Sequence, residues 1–122
     1  MTGIRMDDVT VDDNYYTRLH LPLGADTAAV EEAFVRLDTA ARAEGNLELS
    51  ERLAEAHTAL TQPGIRSYHN QKIKWAAAGD WYRIKNPEGR SVQEHQLWAE
   101  YRREVIEDDA GIWERIKDLF DD

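Results

Sequence analysis

The four histidines are the side chains of this sequence best suited to acid–base chemistry or to metal binding. No two of them stand four residues apart, the spacing that puts two metal ligands on one face of a helix, and no His-Glu-x-x-His cluster occurs. We therefore expect packing or surface roles for all four, with no metal site and no cofactor. These residues are His20, His57, His69 and His95.

Other common catalytic patterns are also absent from the sequence. It contains no cysteine, no Gly-rich phosphate loop and no Gly-x-Ser-x-Gly turn around a serine nucleophile. The adjacent carboxylates Glu31/Glu32 and Asp108/Asp109 point in different directions on a helix, and helix capping explains them more simply. The sequence therefore predicts a protein that is not an enzyme.

Charge and composition favour a folded protein with protein partners. The 122-residue chain is 42% hydrophobic and 32% charged, which is typical of a globular domain. Its net charge is −9, and residues 104–122 alone carry −6. Binding to nucleic acid depends on clustered Lys and Arg, so we expect no nucleic-acid partner.

We also expect a cytoplasmic protein without membrane insertion. No apolar run approaches the ~20 residues that a membrane-spanning helix needs. The first ten residues have neither the basic start nor the apolar core of a signal peptide. The absence of cysteine fits the same compartment.

A helical hairpin is predicted around the polar break at residues 41–46. Apolar residues recur at steps of three and four on both sides of this break, so each side predicts an amphipathic helix. Two such helices joined by a short turn at Gly45 bury their apolar faces against each other. The two stripes are Val30, Ala33, Phe34, Leu37 and Ala41, then Leu49, Leu53, Ala56 and Leu60.

Shorter helices flank the predicted hairpin. Asp12 or Asp13 is expected to cap a first short helix, and Asp26 or Thr27 the first helix of the hairpin. A fourth helix is predicted to end at a left-handed Gly79, with Trp81 to Lys85 as a loop or short extended piece. Its expected buried positions are Ile65, Tyr68, the Lys72 stem, and Trp75 or Ala76.

Two more helices are predicted after residue 90. Ser91 and Glu94 form a capping box for the first of them. Its stripe is Val92, His95, Trp98 with Leu97 beside it, Tyr101 or Arg102, and Val105. The second is short and carries Ile112, Trp113, Ile116, Leu119 and Phe120, a spacing that suits docking on its own core or in the groove of a partner.

The stretch from Asn14 to Asn70 resembles a J-domain over about half of the chain. It has a Tyr-Tyr-x-x-Leu first helix, a long hairpin, an x-x-Glu-Ala-x-x-x-Leu helix, and then Pro, Arg and Tyr. The resemblance implies an all-α J-like hairpin domain at residues 14–78. From their own patterns, we expect residues 1–13 to form a polar leader and residues 79–122 a helical extension to which the resemblance does not reach. The matching residues are Tyr15, Tyr16, Leu19, Ala25, Leu37, Glu55, Ala56, Leu60, Pro63 and Arg66, with Phe34 where the family usually has Tyr.

The chain departs from the family at its functional centre. J-domains carry a His-Pro-Asp tripeptide in the hinge that triggers ATP hydrolysis in a DnaK-type chaperone, and here Arg42-Ala43-Glu44 stands in its place. The second helix of the family is usually basic, whereas residues 27–43 carry a net −1. The hinge is also shorter, and Tyr68 lies one residue closer to Arg66 than usual.

The resemblance implies an adaptor or regulator that binds a protein without stimulating a chaperone ATPase. The candidate partners are a DnaK-type chaperone and a larger protein assembly. The alternative function is a structural or assembly subunit anchored by the acidic, aromatic C-terminal helix. The expected protein-binding residues are Arg36, Arg42, Glu44 and Asn46 near the hinge, and Trp113, Ile116 and Phe120 in the last helix.

Overall fold

A computed structural model of the chain describes residues 9–89 and 92–107. Within these ranges the fold is all-α, as predicted, with no β-strand. None of the helices described there combines the length with the apolar character that a membrane span requires. The elements are α1 (Tyr15–Arg18), α2 (Thr27–Ala43), α3 (Leu47–Thr61), α4 (Pro63–Lys85), α5 (Glu94–Tyr101) and a π-helix (Arg102–Ile106) that continues α5. The predicted last helix lies outside the described residues.

A capping box starts α1. The Asn14 side chain accepts a hydrogen bond from the Thr17 N–H at 3.1 Å, and the Thr17 hydroxyl accepts one from the Asn14 N–H at 2.9 Å. The prediction that Asp12 or Asp13 caps this helix is therefore wrong. Asn14 is buried, and its amide also donates to two carbonyl oxygens of the preceding segment, which an aspartate could not do.

Helices α2 and α3 pack antiparallel. Asp26 caps α2 by accepting the Ala29 N–H at 2.8 Å, as the sequence predicts. Side-chain contacts between the helices run in opposite order along the chain, with Glu31 against His57 and Asp38 against Ser50. Both predicted stripes join one core, in which all their members are buried or half-buried.

Helix α4 is longer than predicted. It continues through Gly79 to Lys85, so Gly79 is not a left-handed C-cap. The prediction of a loop or extended piece from Trp81 onward is wrong for the same reason. Trp81 packs edge to face against Tyr101 of α5 at 5.9 Å, and such an aromatic contact favours extension of α4 past the glycine.

The buried face of α4 is also not the predicted one. His69, Ile73 and Ala77 are buried, whereas Ile65 and Tyr68 are exposed. Apolar residues occur on more than one side of this helix, so their spacing alone does not decide which side faces the core.

Helix α5 begins at Glu94, and Ser91 of the predicted capping box lies outside the described residues. Tyr101 is buried and Trp98 half-buried, as the predicted stripe requires, but His95 is exposed. Trp98 meets Trp75 of α4 edge to face at 6.3 Å. Ile106 of the π-helix is buried although the predicted stripe omits it.

One core connects the hairpin with the later helices. Tyr101 and Ile106 belong to the same cluster of buried residues as Leu53 and Leu60 of α3. Helix α4 is continuous across residues 78 and 79, the expected boundary between the J-like domain and the extension. That boundary therefore does not coincide with the end of a helix.

Candidate functional site

The hinge between α2 and α3 is a Schellman turn followed by an N-cap. The Gly45 N–H donates to the Arg42 carbonyl at 3.0 Å, and the Asn46 N–H to the Ala41 carbonyl at 2.8 Å. Gly45 has φ +71°, a left-handed conformation that glycine adopts without steric cost. Asn46 then caps α3, because its side chain accepts the Leu49 N–H at 3.1 Å.

A polar cluster ties the two helices together one turn from this hinge. The Asp38 carboxylate accepts hydrogen bonds from the buried Ser50 hydroxyl and from the Arg42 guanidinium, the latter at 2.8 Å. These donors, Ser50 above all and then Arg42, lower the pKa of Asp38 below its ordinary value of 3.8. Asp38 is therefore ionised at neutral pH, and it holds Arg42 against α2.

The outward face of α2 carries little charge. Arg36 and Glu32 are exposed on it one turn apart, and Val35 beside them is 60% exposed. The remaining exposed positions on this side of the helix are small, namely Ala28, Thr39 and Ala43.

A second cross-hairpin contact lies at the far end from the hinge. The His57 ring stacks on the Phe34 ring with centroids 4.3 Å apart, and its Nε2 lies 2.9 Å from a Glu31 carboxylate oxygen. The His57 side chain therefore packs across the hairpin, between Phe34 and Glu31 of α2.

His69 connects α4 to the start of α1. Only 5% of this residue is exposed, and its Nε2 accepts the Tyr15 N–H at 3.1 Å. The Tyr15 ring lies over the imidazole with centroids 4.4 Å apart. Burial, assisted by the nearby Arg18 charge, lowers the pKa of His69 from 6.5 to about 4, so the ring is neutral at pH 7.

Arg66 holds the start of α4 to the loop before α2. Its guanidinium donates to the carbonyl oxygens of Gly24 at 3.2 Å, of Ala25, and of Leu60 at 3.4 Å. It also lies 5.6 Å from the centre of the Tyr16 ring, within the range of a cation–π interaction. Arg66 is thus a structural residue that joins α1, the α1–α2 loop, α3 and α4.

Helix α1 is fixed to α3 by a salt bridge. The Arg18 guanidinium lies 2.9 Å from the Glu55 carboxylate and 5.0 Å from the centre of the Tyr15 ring. Glu55 also lies 3.4 Å from the Tyr15 hydroxyl, which donates to it. Tyr15 and Glu55, two of the residues that match the J-domain pattern, therefore contact each other.

The structure separates the predicted site residues into three groups. Arg36 and Arg42 are both exposed on α2, and the Arg42 guanidinium lies 2.8 Å from the Asp38 carboxylate. Glu44 and Asn46 are exposed but form the hinge itself, as the C-cap of α2 and the N-cap of α3. Trp113, Ile116 and Phe120 lie outside the described residues.

Sequence reasoning predicted none of these polar contacts, and two of them differ in whether the sequence carries a signal for them. The first is the contact of Asp38 with Ser50. The sequence carries a signal for it, because a turn at Gly45 sets an antiparallel register in which these two positions lie opposite each other. His69 faces Tyr15, 54 residues away, and no local pattern indicates that contact. In the described ranges no three His, Cys, Asp or Glu side chains group as metal ligands would.

Comparison of the chain with protein-family models, with curated proteins and with solved structures finds no match.

Proposed function

We propose that this chain is a non-enzymatic protein-interaction module, similar to a J-domain, that occupies a binding surface without stimulating a chaperone ATPase. The order and packing of its elements support the J-like part of the proposal. A short α1 is fixed to α3 through Arg18 and Glu55, α2 and α3 form an antiparallel pair, and Arg66 holds α4 to the loop before α2.

The geometry of the hinge is the observation that supports the proposed lack of ATPase stimulation. Arg42 and Ala43, which stand where the family has the first two residues of His-Pro-Asp, belong to the last turn of α2. Glu44 is the C-cap, and its backbone N–H donates to the Ala40 carbonyl at 3.2 Å. A turn closed in this way presents no imidazole where the family has its tripeptide.

The proposed binding surface is the outer face of α2, defined by Glu32, Val35, Arg36 and Thr39. Its two charges cancel, and Val35 offers apolar area to a partner. Recognition would therefore depend on shape and apolar contact rather than on the many salt bridges of a basic helix. Arg42 contributes less, because a partner would have to compete with Asp38 for its guanidinium.

The test is the steady-state ATPase rate of a DnaK-type chaperone driven by an authentic J-domain, with this protein titrated in. We expect the rate to fall as the protein displaces the J-domain, and Val35→Glu or Arg36→Glu to abolish the fall. Ile84→Glu is the matched control for Val35→Glu, because Ile84 is also an exposed β-branched residue, at 80%, but lies on α4.

Two results would contradict the proposal. A rate that rises on addition of the protein alone would show J-type stimulation. A flat titration would show that no chaperone surface is occupied, and it would leave the assembly-subunit hypothesis, which predicts loss of a partner when residues 112–122 are deleted.

A further inference from the structure

Asp38 connects the interior of the hairpin to the exposed Arg42. One oxygen of its carboxylate, Oδ1, accepts a hydrogen bond from the Ser50 hydroxyl, and the other, Oδ2, accepts one from Arg42 Nε at 2.8 Å. Ser50 is buried, whereas the side chain of Asp38 is 15% exposed and that of Arg42 is 66% exposed. The three side chains therefore form a line of contacts from the core to solvent.

The Asp38 carboxylate is already fixed where it meets Arg42. An ion pair between two mobile, exposed side chains contributes little, because both side chains lose freedom when they pair. Here the hydrogen bond from Ser50 and the burial of Asp38 have already ordered one of the two partners. Less entropy is therefore lost on pairing, and Asp38 holds Arg42 better than an exposed carboxylate could.

Arg42 borders the proposed binding surface on the outer face of α2. It lies one turn after Thr39 and about two turns after Val35, so all three residues are on the same side of the helix. The two charges of the outer face cancel each other, and the charges of Asp38 and Arg42 cancel as well. A partner that approaches this side of α2 therefore meets no net charge.

This neutrality depends on the carboxylate of Asp38. Without its charge, Arg36 and Arg42 would stand against Glu32 alone, and this side of α2 would be basic. A basic helix is complementary to an acidic partner surface, and its attraction for that surface weakens as salt is added. The charge of one residue thus decides whether α2 resembles the basic second helix of a J-domain.

We propose that Asp38 sets the partner preference of the outer face of α2. By pairing with Arg42, it disfavours an acidic partner surface and leaves shape and apolar contact to decide binding. Asp38 is a positioning residue in this role, because it acts through Arg42 and does not itself contact the partner. The inference rests on the proposed function, since it assigns a specificity determinant to the same surface.

The experiment is the chaperone ATPase titration with the full-length wild type and with Asp38→Asn, at about 25 mM and about 300 mM NaCl. Asp38→Asn keeps an oxygen that accepts the Ser50 hydroxyl but removes the charge that holds Arg42. At low salt we expect this variant to halve the rate at an about tenfold lower concentration than the wild type. At high salt the two should be equal, because salt screens the released charge.

Four further variants show whether the gain comes from a released Arg42. Adding Arg42→Gln to Asp38→Asn should remove the gain, because no guanidinium is left to release. Glu51→Gln is the matched control, since it removes one exposed carboxylate of α3 without releasing an arginine. Ser50→Ala alters the buried contact but keeps the pair with Arg42, so neither control should show the gain. Thr39→Lys adds a positive charge to the same face and should reproduce the gain, which keeps the test decisive if Asp38→Asn does not fold.

The outcomes separate this inference from the proposed function. Inhibition by the wild type that neither Asp38→Asn nor Thr39→Lys strengthens overturns the inference and leaves the proposed function standing. Inhibition by Asp38→Asn with a flat titration of the wild type contradicts the proposed function but supports the inference, and flat titrations of both overturn both. A gain that Arg42→Gln does not remove, or that Glu51→Gln or Ser50→Ala reproduces, also overturns the inference, because Asp38 would then not act through Arg42.

Discussion

The buried His69 is expected to make the protein less stable as the pH falls from 7 toward 4. Its pKa is about 4 in the folded chain and has an ordinary value of 6.5 when the chain is unfolded. Between these two values the unfolded state binds a proton that the folded state does not bind. The contribution of neutral His69 to the free energy of unfolding is therefore fully present above pH 6.5, and it decreases as the pH falls to about 4.

The size of this effect follows from the two pKa values. Each pH unit between 6.5 and about 4 corresponds to about 1.4 kcal/mol, which gives about 3–4 kcal/mol in total. The physical cause is that a protonated His69 would be buried and could no longer accept the Tyr15 N–H. A domain of this size has a stability of roughly 5–15 kcal/mol, so the loss is easily measured.

Urea unfolding followed by tryptophan fluorescence at pH 7, 6, 5 and 4.5 measures this loss. His69→Gln keeps a side-chain acceptor for the Tyr15 N–H but does not titrate, so its stability should vary much less over this range. The ionised Asp38 does not interfere, because its pKa lies below 3.8 and its contribution is lost only at lower pH. Parallel pH profiles for the wild type and His69→Gln, or an NMR titration of the His69 ring near 6.5, would refute the reasoning.

Three further substitutions test single contacts by urea unfolding at pH 7. Arg66→Ala should lower the free energy of unfolding by about 1.5–3 kcal/mol, because charge-assisted hydrogen bonds to three carbonyl oxygens are lost. Arg66→Lys should recover only part of this stability. An unchanged urea midpoint for Arg66→Ala would contradict the structural role of Arg66. Gly45→Ala should lower the free energy of unfolding by about 1–2 kcal/mol, because the φ of +71° at this position is unfavourable for alanine. An unchanged free energy of unfolding would mean that the turn does not have this left-handed conformation. Gly79→Ala should stabilise by up to about 1 kcal/mol, because this residue is inside a helix and its Cβ meets open space; destabilisation would indicate that Gly79 ends the helix.

The hairpin was predictable because its determinants are local. Apolar spacing in α2 and α3 identifies their buried faces, Asp26 caps α2, and Gly45 allows the left-handed turn between the helices. Each of these features acts within a few residues of the chain. The order of a short helix, an antiparallel pair and a further helix could therefore be predicted from the residues alone.

The sequence by itself thus determined the all-α class and the hinge, whereas tertiary contacts decided the limits and the buried face of α4. A glycine inside a helix costs about 1 kcal/mol relative to alanine, so local preference places an end at Gly79. The contact of Trp81 with Tyr101 favours the longer helix, whereas the burial of Ile73 identifies the face that packs on the core. The role of His69 likewise depends on Tyr15, 54 residues away, and local spacing carries no information about such a partner.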